Sequence, residues 1–216
     1  MCGFTGLISS DDLWKSKGYI RNILLSMIKK IENRGPDEKS IYIDSSEKTA
    51  IAFQRLSILD LSKAGRQPMI SENKEWVIVF NGEIYNYLNL KKQAKSWKKS
   101  NWSSSSDTEV ILEYIAHFGF EKTIIMLNGM FSIVALNKST KNLWMARDRF
   151  GEKPLYYSKT KDGSFIFSSE VKCFSKWPTY EGEINKDIVK EYLRYGYVPE
   201  PKCIYKYTKK LPPGCI

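Results

Sequence analysis

Few side chains in this 216-residue chain can do covalent chemistry, and the first of them is Cys2. An initiator methionine is trimmed ahead of small residues, so the mature chain is expected to begin at Cys2. That residue then carries a thiol and a free α-amino group together. An α-amine titrates at about 7.7–8.0, which suits it as a base for the neighbouring thiol, directly or through one water, as in N-terminal threonine nucleophiles. Gly3 would let backbone and substrate approach closely. The plainer reading is a small, buried cysteine. Nucleophiles that depend on histidine are nearly excluded, because His117 is the single histidine and sits inside a helical segment beside Phe118. A Ser-His-Asp arrangement needs an imidazole between nucleophile and acid. Neither GxxxxGK[ST] nor GxGxxG occurs, so no phosphate-binding loop is expected. Cys173, Cys203 and Cys215 form no Cys-x-x-Cys pair and have no histidine nearby. That argues against a metal site or disulfide framework and for a reducing cytoplasm.

Thiolate attack on an acyl group needs donors for the oxyanion. Asn81 and Gly82, directly after the apolar run "WVIVF", offer a side-chain N–H₂ and a backbone N–H; the same pair is also an ordinary hairpin turn. An amino-acid substrate needs a base for its carboxylate and acids for its ammonium. Arg55 in "FQRLSILD" can grip a carboxylate with two parallel bonds. Asp107 in "SSSSDTEV" can take an ammonium, or it can simply serve the helix dipole. Arg34 in "NRGPD" is either a surface residue or part of a pocket wall.

These residues need elements to hold them. Ile20, Ile23, Leu24, Met27, Ile28 and Ile31 recur at helical spacing. "TAIAF" and "WVIVF" (76–80) predict strands, the latter ending at "NGEIYN" as a turn. A Lys-rich helix is expected over 88–99. A second amphipathic helix is expected over about 107–118, turning Val110, Ile111, Tyr114, Ile115 and Phe118 inward, with Ser106 and Glu109 at capping-box spacing. "FSIVAL", "NLWMAR", "PLYYS" and "FIFSS" follow as strands with short connections, hence antiparallel, and a last helix covers 186–195. Strands apolar on both faces must be covered on both. The expected fold is therefore α+β, a layered sandwich of sheets and helices. Residues 1–195 read as the domain, and the Pro-rich 196–216 as a connector or a frayed end.

The net charge of +10, from 34 basic and 24 acidic residues, raises nucleic-acid binding. The lysines, however, are scattered as pairs such as Lys29-Lys30 and Lys98-Lys99, which fits a solvated surface better. No apolar run approaches the ~20 residues of a membrane helix, and no secretory signal precedes the first strand.

Taken in order, "MCGFTG", "RGPD", "RLSILDLSKAGRQPM", "NGEIYNY", "SDTEV", "LNGMF" and "ARDRFGEKPLYY" resemble the glutaminase domain of glutamine-dependent asparagine synthetases. This is the amidotransferase class with an N-terminal nucleophile, and the resemblance runs from residue 2 to the C-terminus. It implies a four-layer α-β-β-α sandwich of two antiparallel sheets, and hydrolysis of L-glutamine through a γ-glutamyl thioester on Cys2. It implies Asn81 and Gly82 as the oxyanion hole and Arg55 on the glutamine carboxylate. The backbone of Leu56, Ser57, Ile58 and Leu59 would line the same pocket, Glu83 and Asp107 would receive the α-amino group, and Arg34 would form a wall. No cofactor is implied for this domain; ATP and Mg are expected only on an ammonia-accepting synthetase domain in cis, whose Ser-Gly-Gly-x-Asp-Ser loop is absent here. Membrane and nucleic-acid partners are not expected, and a homodimer is compatible with the full-length protein. Final acceptors could be aspartate or another carboxylate. The rival within this fold is a catalytically silent glutamine-sensing module.

Overall fold

The computed structural model describes residues 1–10, 14, 16–46, 48–98 and 101–216. A six-stranded antiparallel sheet is built from β1 (Gly3–Ile8), β2 (Glu38–Asp44), β3 (Thr49–Arg55), β8 (Tyr156–Lys159), β9 (Phe165–Ser168) and β10 (Thr208–Lys210), in the order β10-β8-β9-β1-β3-β2. A second, four-stranded sheet holds β4 (Met69–Ile70), β5 (Trp76–Ile84), β6 (Gly129–Asn137) and β7 (Leu143–Arg147), in that order. Between the sheets lie Phe4, Ile51, Phe53, Val79, Val134, Leu155, Phe167 and Leu211. Each fully buried side chain of that kind contributes about 1.5–3 kcal/mol.

Helix α1 (Lys17–Lys29) begins where Ser16 accepts a bond from the Tyr19 N–H, and buries Ile20, Leu24, Met27 and Ile28, one stripe at 3.6-residue spacing. With Cys173, Phe174 and Trp177 that stripe covers the outer face of the six-stranded sheet. Helices α2 (Tyr87–Gln93), α3 (Asp107–Phe118) and α4 (Phe120–Met126) cover the other sheet, packing Leu90, Val110, Ile111, Ile115 and Phe120 onto Ile78, Phe80 and Ile133. The result is the α-β-β-α order of layers. α5 (Lys186–Tyr195) coincides with its predicted span and buries only Ile188.

Some elements differ from the sequence expectation. The Lys-rich helix stops at Gln93 and tightens into a 3₁₀ turn over Ala94–Ser96; Lys99 lies outside the described residues. β2 and α4 carry no clear periodic signal and were not expected. The tail is not frayed: β10 pairs with β8, and Leu211 enters the layer between the sheets. The turn expected at Asn81-Gly82 does not exist. β5 runs straight through it, with Asn81 opposite Ser132 and Gly82 opposite Phe131 on β6. A Cβ on Gly82 would lie 2.0 Å from the Met130 carbonyl oxygen, so glycine is there for close strand contact and not for a bend.

Candidate active site

Strand alternation decides where the chemistry meets. Val79 faces the six-stranded sheet, so Asn81 and Glu83, two and four residues on, face it as well. β1 is central in that sheet, flanked by β9 and β3, and Cys2 stands at its head. The candidate nucleophile therefore comes from one sheet and its prospective oxyanion donors from the other. They share a cavity of about 250 Å³ lined by Cys2, Arg55, Leu56, Asn81, Gly82, Glu83 and Asp107, among others.

The Cys2 thiol lies against the backbone of Leu56. Sγ donates to its carbonyl at 3.4 Å and accepts from its N–H at 3.3 Å. Burial pushes the thiol up, against the Leu56 bond and the nearby Arg55 charge. A base at the thiol is accordingly needed for thiolate to form.

Two donors in the cavity are unspent. Asn81 is 2 % exposed, and its Nδ2 is buried with no hydrogen-bond partner among the described residues. A buried amide left so costs about 1–3 kcal/mol. The Gly82 N–H meets no hydrogen-bond acceptor among the described residues, for a topological reason. The Phe80 N–H donates to Gln67 Oε1 (2.6 Å) and the Ile84 N–H to Asp107 Oδ2 (3.0 Å), both on the side away from β6. The Gly82 N–H, midway between them, points the same way. It has no strand opposite, because β4 pairs only with Val77 and Ile78. Its β6 neighbour Phe131 spends both backbone groups on Asp148.

Arg55 ends β3 and is buried. Its Nη1 donates to the Ser62 carbonyl at 2.9 Å and to Glu38 at 3.4 Å, and its Nη2 to the Asp60 carbonyl. Arg55 also lines the cavity. Asp60, missed in the sequence, pins that loop: it accepts from Ser62 N (2.7 Å) and Ser105 N (2.8 Å), and the Ser62 hydroxyl, followed by the Ser105 N–H, holds its carboxyl down at about 2.

Asp107 opens α3 behind Ser106, whose Oγ accepts from the Glu109 N–H. Its carboxylate reaches across to β5, so it is more than a helix-dipole residue. Burial pushes it up to about 7 against the Ile84 bond, and the Glu83 charge adds to the rise. Burial also raises Glu83, with Lys153 opposing. A carboxyl that is 3.8 in the unfolded chain and about 7 when folded favours the folded state only while protonated. Stability from this group is full below pH 3.8 and is lost as pH rises towards 7. Thermal melts should therefore show wild-type Tm falling over pH 4–7 relative to Asp107→Asn; parallel curves would mean that Asp107 is ionised throughout.

Of the expected site residues, Ile58 and Leu59 also line the cavity, whereas Ser57 and Arg34 do not. The Ser57 N–H is turned aside to Asp37 at 2.7 Å. Arg34 is no wall residue: it stands behind the nucleophile, with Nε donating to the Cys2 carbonyl at 2.9 Å. Gly3 makes room for Arg34 and not for substrate, since a Cβ there would lie 2.9 Å from Arg34 Cδ. Gln67 and Lys153 line the cavity too, and neither is nominated by sequence reasoning. Both lie in quoted motifs, "GRQPM" and "FGEKP". His117 stacks on Trp97 at 4.2 Å and takes no part. No helix among the described residues is long and apolar enough to cross a membrane.

Two facing antiparallel sheets with outer helices form a four-layer α+β fold, in which Cys2 heads a central strand beside a cavity shared with Asn81 and Gly82. A solved structure of similar fold is the glutamine phosphoribosylpyrophosphate amidotransferase from B. subtilis, which superposes with a TM-score of 0.67 at 20% identity over 85% of this chain and 45% of that one. At that identity the likeness bears on the fold. In sequence, the chain matches the glutamine amidotransferase domain over residues 1–216, and it belongs to that family. Relatives include asparagine synthetase (glutamine-hydrolyzing) 1 of Bacillus subtilis, 36% identical over 99% of this chain. Asparagine synthetase (glutamine-hydrolyzing) 2 of the same organism is 40% identical over 86% of it. The chain spans 33% and 24% of their lengths.

Proposed function

We propose that this domain hydrolyses L-glutamine to glutamate and ammonia. The observation that carries this reading is the buried, unpartnered Nδ2 of Asn81 in one cavity with the Cys2 thiol. A glutamine-sensing module has no use for such a donor, whereas a tetrahedral oxyanion supplies the missing acceptor.

In the reaction, Met1 is first removed and the freed Cys2 amine takes the thiol proton. The thiolate attacks the side-chain carbonyl of glutamine, and its oxygen becomes an oxyanion held by Asn81 Nδ2 and the Gly82 N–H. The Cys2 ammonium gives its proton to the departing nitrogen as the C–N bond breaks, leaving a γ-glutamyl thioester. The same amine deprotonates water, which attacks the thioester; the C–S bond breaks, glutamate leaves and the thiol is restored. Arg55 grips the α-carboxylate, while Glu83 and ionised Asp107 take the α-ammonium. The ammonia would serve an ATP- and Mg-dependent amidation on a synthetase portion such as the longer relatives' names imply, with aspartate or another carboxylate as acceptor.

The test is intact mass before and after incubation with 6-diazo-5-oxo-norleucine, with glutamate release followed in parallel. Loss of Met1, one adduct on Cys2 and glutamate formation are expected. Met1 absent with neither adduct nor glutamate would overturn the reading. Arg55→Lys should raise KM for glutamine about 10- to 100-fold with kcat changed far less, because an ammonium cannot reproduce the bidentate fork. Initial-rate kinetics read this directly, and an unchanged KM would place the carboxylate elsewhere.

A further inference from the structure

Behind the nucleophile, away from the cavity, runs a string of three charges. Arg34 Nε donates to the Cys2 carbonyl at 2.9 Å, Arg34 Nη1 pairs with Glu170 Oε1 at 2.9 Å, and Lys172 Nζ pairs with Glu170 Oε2 at 2.8 Å. Arg34 is largely buried, and its Nη2 is buried with no hydrogen-bond partner among the described residues; the side chain paired with this guanidinium there is Glu170. Glu170 itself follows β9, the strand beside β1; its N–H donates to Ser168 Oγ, and Ser168 Oγ in turn donates to the Phe4 carbonyl. One end of this strand pair therefore fixes both the Glu170 backbone and the first residues of β1. Burial raises the Glu170 carboxyl, yet bonds from Lys172 and Arg34 hold it below its ordinary value, so it stays charged.

We propose that Glu170 is a positioning residue for the nucleophile, holding the Cys2 carbonyl through Arg34 and setting the charge beside the Cys2 amine. The inference rests on the hydrolytic reading above. A carbonyl oxygen and the amine of one residue are about 3–4 Å apart by covalent geometry, so the Arg34 guanidinium lies next to the amine that must act as base. An adjacent cation disfavours the ammonium form, and Glu170 offsets that cation. Facing Cys2 from the other elements are Arg55 at the end of β3, Glu83 on β5, Asp107 on α3 and Lys153 before β8. None of these contacts Glu170 by a hydrogen bond or ion pair.

Two effects follow for Glu170→Gln. Loosened Arg34 lets the Cys2 backbone move, so kcat should fall about tenfold, while KM for glutamine stays within about twofold because the cavity is untouched. The ascending limb of the rate–pH profile should move about 0.5 unit to lower pH, since a negative charge near the amine is lost. Lys172→Gln removes a half-exposed cation from the same string and should move the limb the opposite way, by less. The experiment is the pH dependence of glutamate release by Met1-free protein for wild type and both variants, with melts recorded in parallel. Wild-type kcat and an unmoved limb in folded Glu170→Gln would overturn the proposal. Should that variant fail to fold, an unmoved limb in Lys172→Gln would overturn it. Inactive wild type would instead remove the hydrolytic reading and leave this geometry without a reaction to serve.

Discussion

Cys2→Ala should abolish glutamine hydrolysis, by at least about 10⁴-fold, and leave the fold in place. The size follows from what is removed: a nucleophile acting as one unit with its base cannot be replaced by the remaining donors, which retain only binding and oxyanion stabilisation. The intact fold follows from the contacts. Sγ bonds only the Leu56 backbone, at 3.3 and 3.4 Å, and its loss exposes no charge. Glutamine should still bind, because Arg55 and the two carboxyls are untouched, so the variant should show glutamine-induced stabilisation without glutamate release. Glutamate formation at more than a hundredth of the wild-type rate would mean that water is activated elsewhere and that Cys2 is a bystander.

Asn81→Ala should lower kcat by about 10²–10³-fold with a small change in KM, because the lost bond forms only when the carbonyl oxygen becomes an oxyanion. Its effect on stability separates this role from a structural one. Truncating a buried, well-bonded asparagine destabilises; truncating one whose Nδ2 has no partner removes a desolvation cost instead. Tm should therefore hold or rise while turnover collapses. A fall in Tm comparable to other core truncations, with proportionate loss of activity, would make Asn81 a scaffold residue.

Much of this architecture is legible in the sequence because it is local. α3 and α5 match their expected spans, 107–118 and 186–195, and in α3 the capping signal and the 3.6-residue stripe sit within the segment itself. β2 carries no such signal: in "EKSIYID" Lys39 is exposed and the other six residues are half-buried, with no clean alternation. Cys2, Arg55, Asn81, Gly82 and Asp107 could be nominated from residue type and the family resemblance, yet their meeting depends on sheet register. Asn81 and Gly82 show why: a two-residue signal for a turn was overridden by nine residues of β5 paired along β6. Arg34 failed for a related reason. Nothing local distinguishes a guanidinium that lines a cavity from one that grips the far side of the nucleophile's backbone. Gln67 and Lys153 send no signal of their own, because their partners are distant in sequence: Gln67 accepts from the Phe80 N–H within β5, and Lys153 Nζ reaches Met1 Sδ.

The brevity of β4 has a further consequence. A sheet is ordinarily improved by completing its ladder, and a longer β4 would offer Gly82 the carbonyl it lacks. On the hydrolytic reading proposed above, such an improvement would occupy the place of a reaction intermediate. Selection for a more regular sheet and selection for turnover would then pull in opposite directions at one peptide bond.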